Sequence, residues 1–281
     1  MTAPGRAVIL TQVIFSTLAT VATAWLGTVA SGLFGSLADS AAASLGAGSL
    51  GTQLASASAL AGHVIFSVVA LILCVAVHEF GHAYVADRLG DPLPRMQGRV
   101  TLNPLAHIDP LGTVLFPALM ALGVGIPLAW GKPVQISESP RHLTRRFSLR
   151  TIRLMISVAG PAMNLALALL LSLVFLLVAQ LGGGAFVYDH ILQLVALNFG
   201  LLFFNMLPIP PLDGRSLLAF LPDSLAVVRD ALTRYGGFIF LALICIGGFG
   251  QGPGPLQYLM LPFTLFTRIY LGWLLQLGGL G

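Results

Sequence analysis

Long apolar runs separated by short polar connections set the pattern of this chain. Residues 7–38 hold no charged side chain and follow a single Arg6, so 8–36 reads as a first membrane span. That run is longer than the apolar core of a cleaved signal peptide, about 7–15 residues, and processing near Ala38 is the alternative. Residues 39–58 are rich in Ser, Ala and Gly and read as a flexible connection. A second span is expected over 60–86. Residues 87–111 are polar and full of turn formers, with 95–102 a candidate short extended piece. The apolar stretch over 111–130 is interrupted by Pro117, Gly123, Gly125 and Pro127. Clear spans follow at 154–181 and 191–207, then a sharp break from Pro208 to Gly214. The last apolar runs are 238–249 and 256–277, the second carrying Arg268.

Composition makes the solvent of these runs a bilayer. Hydrophobic residues are 57% of the 281 and charged residues 9%, against about 25% charged in an ordinary soluble domain. The expected class is an all-α membrane protein, a helical bundle of about six transmembrane segments. Its parts are an N-terminal segment and linker (1–58), a core (59–222) and C-terminal hydrophobic segments (223–281). No polar stretch is long enough for a separate soluble domain. The net charge of +4 does not indicate nucleic acid, because the basic residues sit in loops beside apolar runs. Lys132, Arg141, Arg145, Arg146, Arg150 and Arg153 face one acid, Glu138, which marks 131–153 as cytoplasmic. Cys74 and Cys245 both lie in apolar segments and form no disulfide framework. Cys74 reads as a packing residue one turn before His78.

The second span ends on His78-Glu79-Phe80-Gly81-His82, an HExxH motif. On a helix its histidines are one turn apart, about 6 Å of rise, so both imidazoles face one point. Glu79 sits beside that point, where a general base is needed for a metal-activated water. The bland alternative is a hydrogen-bonded histidine pair, with Glu79 paired to a base such as Arg88. Histidines and an acid at membrane depth are costly and usually functional. Catalytic zinc takes three protein ligands, and Asp213, after Pro208, Pro210 and Pro211 and before Gly214, is the leading third. A turn aspartate at the membrane surface is its alternative, and Asp109 and Glu138 are rivals in solvated loops. Topology brings the pieces to one depth. If 131–153 is cytoplasmic, 154–181 runs outward and 191–207 back inward, so Asp213 arrives where His78 and His82 end. Residues 112–130 must then dip in and return as a re-entrant segment, which their prolines and glycines suit.

These segments together resemble the site-2 protease family of intramembrane zinc metalloproteases, in its compact bacterial subgroup without a PDZ domain. The resemblance rests on His78 to His82, on Gly160-Pro161-Ala162-Met163-Asn164, and on Asn205 through Pro208-Ile209-Pro210-Pro211-Leu212-Asp213-Gly214. The stretch from Leu102 to Thr113 adds to it, and roughly 60–222 is covered. The resemblance implies one Zn2+ per chain on His78, His82 and Asp213, with Glu79 activating a zinc-bound water. It implies substrate or oxyanion contacts for Asn205 and, less specifically, Asn164, where helix packing beside Gly160 is an equal account. His107 is a candidate second-tier or gating residue, or a loop histidine without a role. His63, His142 and His190 are expected outside the site. The implied activity is hydrolysis of peptide bonds in or near the transmembrane helices of single-span proteins, such as an anti-sigma factor or a signal-peptide remnant. The implied place is the plasma membrane, multi-pass, with the active site toward the cytoplasm and the lipid bilayer as its surroundings. Two competing classes are a divalent-ion transporter and a catalytically inactive helix-binding protein. A hydrolase should keep zinc and lose cleavage in Glu79→Gln, whereas a transporter should show metal-dependent flux in vesicles. The inactive binder is disfavoured because all the ligands and the base are present.

Overall fold

A computed structural model describes residues 49–115, 131–137, 147–249 and 254–280. Among these residues the chain is all-helical and contains no strand. Five long helices and one short one carry the architecture. They are α1 (Ser49–Arg88), α2 (Leu93–Met96), α3 (Leu149–Gln180), α4 (Ala185–Asn205), α5 (Ala226–Phe249) and α6 (Pro255–Leu277).

Four of them contain segments long and apolar enough to cross a membrane: Ile65–Arg88, Leu149–Gln180, Ala185–Asn205 and Pro255–Leu277. The membrane class is therefore as expected, while the count of about six is not reached among the described residues. The expected span at 8–36 lies outside them, as does the re-entrant segment apart from its first residues, 112–115. Those belong to a single wide turn, Pro110–Leu115. The apolar run at 238–249 is the C-terminal half of α5, whose first half carries Arg229, Asp230 and Arg234.

Two local expectations are corrected. The helix begins at Ser49 rather than after a linker ending at 58, because the Ala and Leu residues of 50–60 favour helix more than the intervening Ser and Gly oppose it. The extended piece at 95–102 is instead α2 followed by turns. Pro92 and Pro94 suit a helix start, and the Asp91 carboxylate accepts from Leu93 N at 3.0 Å. Gly98, at φ 66°, then takes the left-handed conformation that ends the turn.

Helix α3 is the centre of the bundle and packs against α1, α4 and α6. Its start is capped by Ser148, whose hydroxyl accepts from Thr151 N at 3.2 Å. One core layer joins Ala70, Leu71 and Cys74 of α1 to Leu197, Leu201 and Phe204 of α4, with Phe240 and Met260 closing it. A second joins Phe175 of α3, Val195 and Phe199 of α4 and Leu274 of α6. Close approach of α1 to α3 depends on glycine. A Cβ at Gly81 would lie 2.6 Å from the Ala159 carbonyl and 2.8 Å from Met163 Cγ, so the backbones meet where small residues permit it.

Candidate metal centre

Helix α1 delivers His78 and His82 to the same face, both buried. Helix α4 cannot continue through Pro208-Ile209-Pro210-Pro211, and the chain doubles back so that Asp213 opens the 3-10 turn Asp213–Phe220. A Cβ at Gly214 would fall on the carbonyl oxygens of Met206 and Leu207. That reversal therefore needs glycine after Asp213. The result is a triangle: His78 Nε2 to His82 Nε2 is 3.0 Å, and each is 3.1 Å from Asp213 Oδ2.

The opposite nitrogens fix the ring orientations. His78 Nδ1 is 2.6 Å from Asn164 Oδ1, and His82 Nδ1 is 2.7 Å from the Ile156 carbonyl. Both partners are oxygen acceptors, so both Nδ1 atoms donate and both Nε2 atoms present lone pairs to Asp213. Pro161 has no N–H to offer the Ser157 carbonyl, in the turn where Ile156 receives His82. Gly160 leaves room for the pair, since a Cβ there would fall on His82 Nε2 and lie 2.7 Å from His78 Nε2.

Three electron-rich atoms this close repel unless a positive charge lies among them. Ligands 2.0–2.1 Å from a tetrahedral zinc are about 3.3 Å apart, close to the observed edges. Two imidazoles whose remote N–H groups are satisfied, plus a carboxylate, are also the donor set expected of a catalytic zinc site. The residues fit the ion. Among the described residues, His78, His82 and Asp213 are the group of metal-type donors brought together in this way.

Glu79 follows His78 on α1, and its Oε2 accepts from the backbone N–H of Val134 at 3.1 Å. Val134 lies in the segment 131–137, held from both sides. Lys132 N donates to the His107 carbonyl at 2.9 Å. Arg99 reaches the Pro133 carbonyl at 3.3 Å and also donates to the Ala106 carbonyl. Asp91 takes Ser137 N at 2.7 Å and Ser137 Oγ at 2.6 Å. A Cβ at Gly131 would meet the Val75 side chain and lie 3.9 Å from Glu79 Cγ, so this segment passes directly beside the glutamate.

The remaining expected residues divide. Asn164 is fully buried and touches His78 directly, whereas Asn205 donates to Leu201 O at 3.0 Å within its own helix. His107 is buried, donates from Nε2 to the Thr101 carbonyl at 3.0 Å, and leaves Nδ1 without a partner. Burial holds its pKa below the ordinary 6.5, against the opposing pull of the Thr101 carbonyl and Glu79. Asp109 caps the Pro110–Leu115 turn through Leu111 N at 3.1 Å and Gly112 N at 2.9 Å. His190 bonds to the Phe186 carbonyl at 2.6 Å. Glu138 and His142 lie outside the described residues, as does the side chain of His63. Sequence reasoning missed Asn198, the Ile156 carbonyl, Asp91 and the Val134 N–H. Of these only Asn198, the one polar side chain between Leu194 and Phe204 of α4, left a signal.

The Peptidase family M50 pattern matches residues 66–188. The chain is 35% identical over 187 residues to "Putative zinc metalloprotease YwhC" of Bacillus subtilis (strain 168), covering 63% of this chain and 79% of that protein. Rip2 of Mycobacterium tuberculosis (strain H37Rv), described in the same terms, is 34% identical over 166 residues, 57% of this chain and 58% of that protein. Rip2 of Mycolicibacterium smegmatis is 33% identical over 189 residues, 66% of this chain and 68% of that protein. No solved structure matches. With the HExxH helix inside the matched region and a relative aligned over most of its length, the chain belongs to peptidase family M50, the site-2 protease family.

Proposed function

We propose that this protein is an intramembrane zinc metalloprotease that cleaves single-span membrane proteins. The observation that carries the reading is the triangle of His78, His82 and Asp213 with both remote imidazole nitrogens already engaged. One Zn2+ held by these residues would supply Lewis acidity to a substrate carbonyl and to the attacking water.

The protein's own residues then divide the work. Glu79 takes the proton of the attacking water and delivers it to the departing amide nitrogen. Its Oε2 is held by the Val134 N–H, which fixes the orientation of the carboxylate. Asn164 and the Ile156 carbonyl hold the two rings against rotation. A substrate helix locks its amides in backbone hydrogen bonds and must unwind locally before a carbonyl reaches the site. Buried, ionisable side chains at the end of an apolar helix also call for a polar path for water.

The surroundings follow from the same reading. The site lies at the end of Ile65–Arg88, and Val134 beside Glu79 belongs to the stretch 131–153, whose excess of basic residues in the sequence favours the cytoplasmic side. This supports a multi-pass protein of the plasma membrane with its active site toward the cytoplasm. Substrates with one transmembrane segment suit an active site at this depth, an anti-sigma factor or a signal-peptide remnant among them.

The test is comparison of membrane proteomes from cells carrying the wild-type protein or Glu79→Gln. Single-span proteins should accumulate in the variant and shorten on restoring Glu79. No accumulation, with zinc still bound, would refute the proteolytic reading.

A further inference from the structure

A line of buried amides runs from the metal site into the bundle. Asn164 and Asn198 are both fully buried. Asn198 Nδ2 donates to the Leu194 carbonyl at 2.8 Å and to Cys74 Sγ at 3.2 Å. Asn164 Nδ2 donates to Asn198 Oδ1 at 2.9 Å and, more weakly, to the Cys74 carbonyl at 3.4 Å. Asn164 Oδ1 meets His78 Nδ1 at 2.6 Å.

The polarity of this line has one consistent direction. A backbone carbonyl can only accept, so the Asn198 atom facing Leu194 must be nitrogen. Its oxygen therefore faces Asn164, whose nitrogen must donate. That leaves the Asn164 oxygen for His78, so Nδ1 of that ring carries the hydrogen and Nε2 carries the lone pair. Turning either amide over would set oxygen against oxygen in a buried site, with donors left unmade.

We propose that Asn198 is a positioning residue for the metal: through the Asn164 amide it selects the His78 tautomer whose Nε2 lone pair faces Asp213. The inference rests on the zinc reading above. Outer partners of metal-bound histidines typically change affinity by about 10–100-fold when removed. Asn198 acts one residue further out, and its effect should pass entirely through Asn164.

The test is zinc affinity of the full chain in detergent or nanodiscs, measured by competition with a chromophoric chelator. Asn198→Leu should weaken zinc binding about 10-fold or more. In an Asn164→Leu background the same change should add nothing, because the link is already cut. A general packing defect would instead add its loss to that of Asn164→Leu. If Asn198→Leu does not purify as a folded species, Asn198→Asp carries the test. At this fully buried position its carboxyl stays protonated, so the O–H donates to the Leu194 carbonyl in place of the amide. The other oxygen accepts from Asn164, and zinc should be held within about 3-fold of wild type. Wild-type affinity in Asn198→Leu, additive losses in the double variant, or an Asn198→Asp loss as large as that of Asn164→Leu would each overturn the inference. A wild-type protein that takes up no zinc overturns the zinc reading itself, and this inference with it.

Discussion

Replacing Gly160 by alanine isolates the metal site from the stability of the fold. The added methyl would fall on His82 Nε2, lie 2.6 Å from His82 Cε1 and lie 2.7 Å from His78 Nε2. Comfortable carbon contacts begin near 3.5 Å, so the His78 ring must retreat by roughly 0.8 Å and the His82 ring by more. Neither can do so freely, because Asn164 and Ile156 hold their far sides at 2.6 and 2.7 Å. Metal sites tolerate ligand displacements of only about 0.2 Å. Zinc affinity should therefore fall at least about 100-fold, some 2.7 kcal/mol. Helix stability moves the other way, since alanine is better than glycine in a helix interior by about 1 kcal/mol. That gain offsets part of an overpacking cost of about 1–3 kcal/mol, so the metal-free protein should melt close to wild type. Chelator competition and thermal melts on metal-free samples measure the two effects separately. Gly272→Ala, where no atom lies within 4 Å of the new methyl, should change neither zinc binding nor cleavage. Wild-type zinc affinity in Gly160→Ala would refute the packing argument.

Three further outcomes are expected. Glu79→Gln should retain stoichiometric zinc and lose cleavage by about 10²–10⁴-fold, read by metal analysis alongside a cleavage assay on a single-span substrate. Asp91→Asn should lower kcat and the melting temperature without releasing zinc, because it loosens Ser137 and hence the segment that presents Val134 to Glu79; unchanged kcat would show that this segment does not orient the glutamate. For His107, burial depresses the pKa below 6.5, so the unfolded chain binds the extra proton first. Stability should be complete above about pH 6.5 and fall as pH drops below that value. Melts between about pH 5 and 7 should show a smaller decline in His107→Gln, and an identical decline would remove His107 as its source.

What was legible in the sequence follows from how locally each feature is encoded. The spacing of His78 and His82 is a property of one helix, so a five-residue motif carries it. Asp213 was legible because its proline-broken setting gives an acid at membrane depth an unusual backbone, and topology then placed it level with the histidines. The spans at 154–181 and 191–207 stand within a few residues of α3 and α4, since apolar length is their whole signal. The start of α1 was less visible, because Ser and Gly within 49–58 resemble a linker while their neighbours favour helix. The support of Glu79 could not be read at all. It comes from a backbone N–H at Val134, and every residue except proline supplies one. Asn164 carried a cue through its neighbours Gly160 and Pro161, but its contact with His78 depends on how closely α1 and α3 approach. Asn205 was singled out from the resemblance, and in the fold its amide bonds to its own helix.

The central claim is that one zinc ion is held jointly by α1 and the turn after α4. Zinc content of the purified chain, measured together with zinc X-ray absorption, tests it most directly. One zinc per chain is expected, with two imidazole nitrogens and at least one carboxylate oxygen at about 2.0–2.2 Å, and near-complete loss of metal in Asp213→Ala. Full zinc occupancy with an unchanged absorption spectrum in Asp213→Ala would contradict it.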